Sequence, residues 1–321
     1  MKNFLLFLLC LPLTGQGPDS SGMMFMFWNL ENFFDYRDSG QGESDTEFSS
    51  MGERHWTKTK FYRKCLAAAK TILWISDTYG NLPDVVGVAE VENSFVVGRL
   101  VNTDVLKKHG YGFIHYDSPD RRGIDVALLY RKDIFDTLES RPFRIDARGP
   151  DGKELNTRDI LMAKLRRRDS GDTLVAFVNH HPSKYGGGST EWRREAAVEK
   201  LRSLTDSLHR CGIRNIVAMG DFNDTPDNPL FDRLTVKGCL PLMEPEEGKG
   251  TIRFNGKWEM IDLFLVSGGI LDRNPVMVIP DPPFLTVRDP AHSGDKPLRT
   301  FSGPRYNGGV SDHRPILLML E

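Results

Sequence analysis

Cysteine is scarce in this chain, and its four positions are far apart in the sequence: Cys10, Cys65, Cys211 and Cys239. Cys10 falls in an N-terminal segment that we expect to be removed, and the other three form no CxxC pair. Disulfide frameworks and zinc knuckles both require closely grouped cysteines. The spacing therefore excludes both, and it predicts that the remaining cysteines are small core residues.

An excess of positive charge is also missing. The chain carries 42 Lys and Arg against 44 Asp and Glu, a formal net charge of -2 over 321 residues. Proteins that coat nucleic acid non-specifically carry a basic excess, so this class is excluded. Basic residues cluster only locally, at 121–122, 166–168 and 193–194. We interpret these clusters as solvated edges or helix faces, most clearly so for 166–168.

Long apolar runs are lacking beyond the N-terminus. Lys2 precedes an apolar run over residues 4–13, too short to span a bilayer, and small residues suited to cleavage follow. We therefore predict a signal peptide over residues 1–17 and an exported protein, in the periplasm, at the cell surface or secreted. A lipid anchor at Cys10 is an alternative, although bulky Leu8 and Leu9 precede it. No later stretch predicts a transmembrane helix, and without a repeat or linker residues 22–321 are expected to form one domain.

Two widespread catalytic motifs are absent as well. The chain contains no GxxxxGK[ST] loop of the kind that holds nucleotide phosphates. It also has no GxSxG serine placed between a predicted strand and a helix. A serine nucleophile is therefore poorly supported.

The segment Met-Gly-Asp-Phe-Asn-Asp-Thr-Pro at 219–226 is the strongest positive signal. The apolar run before it predicts a short buried strand, and Asp227-Asn228-Pro229 behind it predicts the start of a helix. Asp221 and Asn223 are thus expected on a loop at the carboxyl end of a strand, where sheet proteins place their chemistry. Taken alone, such a loop is more often structural than catalytic.

Other predicted strands also end in polar side chains. Apolar patterns predict strands over 23–28, 84–89, 124–130, 174–178 and 316–320, and helices over 56–76 and after a cap at Ser189 or Thr190. Residues 251–254 and 257–266 flank an Asn-Gly turn and predict a hairpin, whereas 280–309 reads as a long functional loop. The polar residues at or near the strand ends are Asn29, Glu31, Glu90, His180, Asp221, Asn223, Asp262, Asp312 and His313.

The chemistry of this set points to a hard cation. Carboxylates and amides with few histidines suit Mg²⁺, which prefers oxygen ligands, and Mn²⁺ is a second possibility. Zinc would favour more histidine or cysteine. Oxygen-bound Mg²⁺ together with a base and a cationic histidine is the chemistry of water attacking a phosphate ester.

Six short motifs in order resemble those of the endonuclease/exonuclease/phosphatase superfamily, the DNase I-like fold. They are Trp-Asn-Leu-Glu at 28–31, Pro-Asp-Val-Val-Gly-Val-Ala-Glu at 83–90, Val-Asn-His at 178–180, Gly-Asp-Phe-Asn at 220–223, Ile-Asp-Leu at 261–263 and Ser-Asp-His at 311–313. The resemblance runs from about residue 24 to the C-terminus. It implies an α/β (α+β) fold, a four-layer αββα sandwich of two packed, mostly antiparallel mixed sheets.

The resemblance also implies a role for each residue. Glu90 would be the principal Mg²⁺ ligand, with Asn29 and either Glu31 or Asp312. Asp221 would activate the attacking water, and Asn223 would hold that water or a phosphate oxygen. His313, oriented by Asp262, would stabilise charge on the phosphoryl oxygens. His180 would contact the scissile phosphate or the leaving oxygen.

Three details qualify this assignment. His181 stands beside His180 where the family often has an aliphatic residue, so the choice between the two histidines is open. Glu31 stands where the family often has aspartate. Arg122 is equally consistent with a phosphate-binding arginine and with a surface salt bridge.

The expected function is that of an exported Mg²⁺-dependent phosphodiesterase, acting as a monomer on a phosphodiester substrate, with DNA or RNA favoured. One alternative keeps the site and changes the substrate: an inositol-phosphate phosphatase or a sphingomyelinase-like lipid phosphodiesterase. The near-neutral charge weakens the nuclease interpretation, because long polyanions usually meet a basic groove. A non-catalytic binding module is disfavoured because none of the motif residues is missing.

Overall fold

The apolar runs of the sequence become strands that are buried on both faces. The structure, a computed structural model, describes residues 22–40, 42–235, 242–243 and 250–321. Its strands are β1 (Met24–Phe33), β2 (Val85–Val91), β3 (Tyr111–His115), β4 (Asp125–Arg131), β5 (Phe135–Phe143), β6 (Ile160–Arg167), β7 (Thr173–His180), β8 (Ile216–Asp221), β9 (Leu242–Met243), β10 (Ile252–Phe254), β11 (Lys257–Glu259), β12 (Asp262–Val266), β13 (Val276–Val278), β14 (Thr286–Arg288), β15 (Asp295–Pro297), β16 (Phe301–Ser302), β17 (Arg305–Tyr306) and β18 (Ile316–Met319).

Helices connect or flank these strands. They are α1 (Lys58–Tyr79), α2 (Ser94–Val101), α3 (Glu191–Arg210), α4 (Asp232–Thr235) and α5 (Gly268–Leu271). Single 3-10 turns lie at Lys107–His109, Gly187–Thr190, Pro229–Phe231 and Pro283–Leu285. In the part of the chain that the structure describes, none of the helices has the length and apolarity to cross a membrane.

Two six-stranded sheets have the same internal plan. Their strand orders are β13-β18-β1-β2-β4-β3 and β5-β6-β7-β8-β12-β9. In each sheet one central pair is parallel, β1 with β2 and β7 with β8, and all other neighbours are antiparallel. The predicted mixed, mostly antiparallel sheets are therefore confirmed.

The alternation of β1 shows how the layers pack. Phe25 and Phe27 belong to the core between the sheets, together with Met219 of the second sheet, whose side chain lies against Gly87 of β2. Met24, Met26 and Trp28 belong to a second core beneath α1 and α2. Side chains of α3 join the first core from the outside of the second sheet. The four-layer αββα sandwich that the resemblance implied is confirmed.

Several boundaries differ from those predicted. β1 continues to Phe33 through a bulge, and α1 begins at Lys58 after its N-cap Thr57 rather than at Trp56. The hydroxyl of Thr190 donates to the carbonyls of Tyr185 and Gly187 and makes no cap hydrogen bond to α3. Asn228 caps the 3-10 turn after the central loop, as the Asn-Pro pair predicts.

The hairpin prediction is only half right. β10 and β11 pair around Asn255-Gly256, but the second predicted strand breaks after Glu259. The Thr251 hydroxyl accepts hydrogen bonds from the amides of Ile261 and Asp262, and the chain then enters the second sheet as β12. Residues 280–309 are likewise not a plain loop, since they form two small hairpins, β14–β15 and β16–β17.

Two side-chain predictions are wrong. Cys211 is exposed, whereas Cys65 is buried as predicted. Arg194 is buried rather than solvated, because its Nε donates to Asp224 Oδ2 at 3.0 Å. Arg166 and Arg168 are exposed, as expected of an edge. The signal peptide, Cys10 and Cys239 lie outside the described residues.

Candidate active site

The candidate site lies where the two central parallel pairs of strands end. β1 and β2 share a bulge at their carboxyl ends, where Glu31, Asn32 and Glu90 adopt φ of 46°, 49° and 59°. Left-handed backbone is costly for non-glycine residues and persists only where the surroundings hold it. The bulge turns both glutamates out of the regular alternation of their strands.

Glu90 accepts three hydrogen bonds from two residues. Its Oε2 takes the Asn32 amide at 2.7 Å, and Arg122 approaches both of its oxygens at 3.3 Å. Burial would raise the pKa of Glu90, but the Arg122 guanidinium and the hydrogen bond from the Asn32 amide lower it well below the ordinary value. Glu90 is therefore an anion at neutral pH.

Glu31 is held by a different set of donors. Oε2 accepts from the Thr300 amide at 2.9 Å, and Oε1 accepts from Nε and Nη2 of Arg299 at 2.8 and 2.7 Å. Arg299 also reaches Asp312 Oδ2 at 3.0 Å. Burial and the negative charge of Asp312 raise the pKa of Glu31 to about 7. The raised pKa of Glu31 thus reflects its burial and its closeness to a second carboxylate, even though Arg299 pairs with both.

Asp221 is the point on which three strand ends converge. Its Oδ2 accepts from Asn29 Nδ2 at 3.0 Å and lies 3.7 Å from His180 Nε2 and 3.9 Å from His313 Nε2. In β8 it stands directly opposite Asp262 of β12. Burial, and then the charge of Asp262, raise the pKa of Asp221 to about 7.

His313 is locked into one orientation. Its Nδ1 lies 2.8 Å from Asp262 Oδ2, and its backbone carbonyl accepts from Trp28 Nε1. Burial opposes a charge on the ring, yet Asp262 raises the pKa of His313 well above its ordinary value. Nε2 therefore faces Asp221 as part of a cation. This is the carboxylate–imidazole pair that the resemblance implied.

The two adjacent histidines separate into different environments. His180 ends β7 and its Nε2 faces Asp221 and Glu90, 3.9 Å from the latter. His181 packs edge-on against Phe222, with ring centroids 4.6 Å apart. Burial and the charge of Arg158 lower the pKa of both, so both rings are neutral. The structure thus brings His180, not His181, to the site.

Asn223 lies beside the strand end that carries these histidines. It adopts φ 50°, its amide donates to Asp221 Oδ1, and its Nδ2 donates to the His181 carbonyl at 2.9 Å. Among the described residues the second Nδ2 proton and Oδ1 have no hydrogen-bond partner, so both are available to a ligand.

Comparison with models of known protein families shows which family has this arrangement of residues. The model described as the endonuclease/exonuclease/phosphatase family matches residues 24–321. The chain belongs to this family. No curated protein matches the chain in sequence.

Solved structures of other proteins have the same fold as this chain along nearly its whole length. The mannosyl-6-phosphatase of Bacteroides thetaiotaomicron has 17% identity and TM-score 0.59, covering 93% of this chain and 99% of its own. The human Nocturnin catalytic domain with bound sulfate has 17% identity and TM-score 0.56, covering 94% and 93%. D. rerio TDP2 complexed with a single-strand DNA product has 14% identity and TM-score 0.54, covering 94% and 100%. At these identities the similarity establishes the fold.

Enzymes of this family use divalent metal ions, and in the described residues two groups of side chains place their ligand atoms close enough to hold one: His115, Asp117 and Asp125, away from the site, and Asp221, Asp262 and His313, within it. Ligand atoms of Asp221, Asp262 and His313 all lie within 4.8 Å of one another. We favour Glu31, Glu90 and Asp312 instead, because His313 is held as a cation and would repel a metal. Carboxylate oxygens are the ligands that a hard cation prefers. The Asn29 oxygen already accepts from the Glu31 amide, and its second lone pair is available to such an ion.

Sequence reasoning missed the residues that hold the site in place. Arg158 is buried and donates to Asp120 Oδ2 and to the His181 carbonyl. Lys64 is buried on α1 and donates to the Glu31 carbonyl and to the Thr300 hydroxyl. Neither stands in a motif. The one signal for Lys64 is a charged residue on the otherwise apolar face of a predicted helix.

Arg122 was predicted as either a phosphate ligand or a surface salt bridge. Its guanidinium pairs with Glu90 and donates to Asn32 Oδ1 at 2.5 Å, so the ion pair exists but is part of the site rather than of the outer surface.

Proposed function

We propose that this chain hydrolyses phosphate esters with an activated water molecule, assisted by a divalent cation. The convergence of Asn29, His180 and His313 on one oxygen of Asp221 carries this proposal. A buried carboxylate between two histidines of opposite protonation state provides a base and an acid within one small site.

Asp221 has the properties of the base. A pKa of about 7 lets the carboxylate accept a proton from water while being ionised in much of the protein at neutral pH. Oδ1 and the second Nδ2 proton of Asn223, which have no partner in the described part of the chain, lie next to it and are suited to orienting that water.

His313 and His180 have different roles at the phosphoryl group. The His313 cation, supported by Asp262, donates a hydrogen bond to a phosphoryl oxygen as negative charge develops there. The neutral ring of His180 contacts the scissile phosphate or the leaving oxygen.

Glu90, Glu31, Asp312 and Asn29 would hold the cation, Mg²⁺ or Mn²⁺. When bound there, it would neutralise phosphoryl and leaving-group oxygens.

For the substrate we propose nucleic acid, because exposed aromatic and basic side chains flank Asp221 on both sides. On the β12 side, the β10–β11 hairpin carries Phe254, 63% exposed, and exposed Lys257. On the β7 side, residues 182–190 carry Lys184 and Tyr185, the latter 91% exposed. Stacking surfaces beside positive charge are what a single strand of DNA or RNA requires.

A phosphomonoester is the second candidate, and the arginines favour it. Arg122 and Arg299 both point into the carboxylate cluster, which gives the site enough positive charge for a dianionic terminal phosphate. The similarity in fold to a mannosyl-6-phosphatase is consistent with this candidate.

Export belongs to the same proposal. The cationic start and apolar run of residues 1–17 support it, and N-terminal sequencing of the protein recovered from outside the cytoplasm tests it.

The test of function is hydrolysis of a substrate panel by the protein lacking residues 1–17. The panel contains duplex DNA, single-stranded DNA, RNA, bis-p-nitrophenyl phosphate, an inositol phosphate, a sugar 6-phosphate and sphingomyelin, each with Mg²⁺, Mn²⁺ or EDTA. We expect nucleic-acid cleavage that EDTA and His313→Ala abolish. Turnover of a monoester alone would establish the second candidate, and no turnover in any reaction would contradict the proposal.

A further inference from the structure

Arg299 occupies the carboxylates that the site would offer to a cation. The interactions found for its side chain in the described part of the chain all go to Glu31 and Asp312. Both Nε and Nη2 point at the same oxygen, Glu31 Oε1, while Oε2 is taken by the Thr300 amide. Oε1 therefore has both lone pairs occupied until the Arg299 guanidinium leaves, whereas Oε2 keeps one lone pair for a metal ion.

The donor that can leave is the arginine. The Thr300 amide is fixed, because buried Lys64 ties the Thr300 hydroxyl to the carbonyl of Glu31 from behind. The Arg299 side chain, by contrast, is 45% exposed and lies between the two small hairpins β14–β15 and β16–β17. It can swing into solvent without moving any strand.

The local charges favour movement of Arg299 from the carboxylates to a phosphate once a cation is bound. Three carboxylates, Glu31, Glu90 and Asp312, face three cationic side chains. Those cations are Arg122, Arg299 and Lys64. The cluster is neutral as it stands, so a divalent cation would leave it with two positive charges in excess. A phosphate group is the ligand that offsets them.

We propose that Arg299 is a phosphate-binding residue that pairs with Glu31 and Asp312 in the cation-free protein and moves to the substrate phosphate when the cation is bound. This inference rests on the proposed function. It assigns the 280–309 segment a direct contact with substrate and makes phosphate binding dependent on prior cation binding.

The test measures two binding constants without turnover. Mg²⁺ is titrated calorimetrically into wild type and Arg299→Gln, with Mn²⁺ in a parallel series, and inorganic phosphate is then titrated at saturating Mg²⁺. We expect Arg299→Gln to bind the cation about threefold to tenfold more tightly, because a competing half-exposed ion pair is gone. We expect the same variant to bind phosphate at least about tenfold more weakly.

Arg214→Gln is the matched control. Arg214 forms an exposed pair with Asp272 at 3.1 Å outside the site, so both constants should match those of wild type. Arg299→Lys keeps the charge but loses the planar guanidinium with its paired donors. Its affinities for the cation and for phosphate should therefore lie between those of wild type and Arg299→Gln.

A guanidinium that acts only as a structural clamp predicts different results. Its removal would leave cation affinity unchanged or weaken it, and phosphate affinity would not change; either result would overturn the inference. Because both titrations are independent of catalysis, they remain informative if wild type hydrolyses none of the panel, a result that would count against the proposed function alone.

Discussion

At the scale of single residues, side-chain type was easier to predict than side-chain direction. The motifs identified Asn29, Glu31 and Glu90, but strand alternation would point Asn29 and Glu31 to the same side. Instead Asn29 turns to Asp221, and Glu31 turns to Arg299. Left-handed φ at Glu31 and Glu90 causes the difference, and the sequence gives no sign of it because neither residue is one that favours this conformation.

The adjacent histidines give a sharp test at this scale. We expect His180→Gln to lower kcat by about 100-fold with little change in Tm, since the ring faces Asp221 and Glu90. We expect His181→Gln to leave kcat within a few-fold. It should lower the free energy of unfolding by about 1 kcal/mol through lost packing on Phe222.

The measurements are steady-state kinetics on whichever panel substrate is turned over, and thermal unfolding of both variants. The His181 backbone carbonyl still accepts from Arg158 and Asn223 in either variant, so the strand end keeps its support. Equal losses of kcat in the two variants would contradict the prediction that His180 acts in catalysis and His181 only in packing.

At the scale of elements, most strongly apolar segments were predicted and half-exposed ones were not, and β6 is the exception, because it was missed although its first four residues are apolar and buried. β1, β2, β4, β7, β8 and β18 were predicted because both of their faces are buried. β5 was missed because most of its residues are at least partly exposed and its apolar pattern is weak. β12 was merged with β11 because the apolar run 260–266 hides the change of sheet at Ile261.

The β10–β11 hairpin is the element whose function the substrate proposal fixes. We expect Phe254→Ala/Lys257→Ala to raise KM for single-stranded DNA by about tenfold or more, since each stacked base contributes roughly 1–3 kcal/mol. Hydrolysis of bis-p-nitrophenyl phosphate should be unchanged, because this ester is too small to reach the hairpin. The hairpin also stays attached to the site, since the Thr251 hydroxyl still accepts from the Asp262 amide.

A matched pair lies on β5, the edge strand of the six-stranded sheet that contains β8 and β12. Leu138→Ala/Arg141→Ala also removes an exposed apolar side chain and a basic one, and it should leave both substrates unaffected. A rise in KM for both substrates in the hairpin variant would instead mean that the hairpin supports the catalytic residues.

At the scale of the whole molecule, the two ends of each central strand have different tasks. β2 carries Glu90 at its carboxyl end, within the site. Asp84 lies just before its amino end and is buried, with Oδ2 accepting from the Met24 amide at 2.8 Å. The sequence motif contains both acids, but only the strand direction assigns one to chemistry and the other to structure. Stability should therefore be adjustable at Asp84 without affecting turnover.

The pKa of Asp84 determines the sign of this effect. Burial raises it to about 6, so the folded protein binds the proton more tightly than the unfolded chain. The stability that this group contributes is fully present at low pH and is lost as pH rises through about 6. At pH 8 the cost is up to about 3 kcal/mol, and at pH 5 about half of that.

Asp84→Asn removes the charge and keeps an oxygen that can accept from the Met24 amide. We expect a gain of about 1–3 kcal/mol in the free energy of unfolding at pH 8, a smaller gain at pH 5, and an unchanged kcat. Denaturant unfolding at the two pH values measures the difference. Asp84→Ala should be less stable than Asp84→Asn at both, because it leaves the Met24 amide buried without an acceptor. A gain that is equal at pH 5 and pH 8 would mean that the charge on Asp84 is already offset, for which Arg131 and Arg167 are the nearby cations.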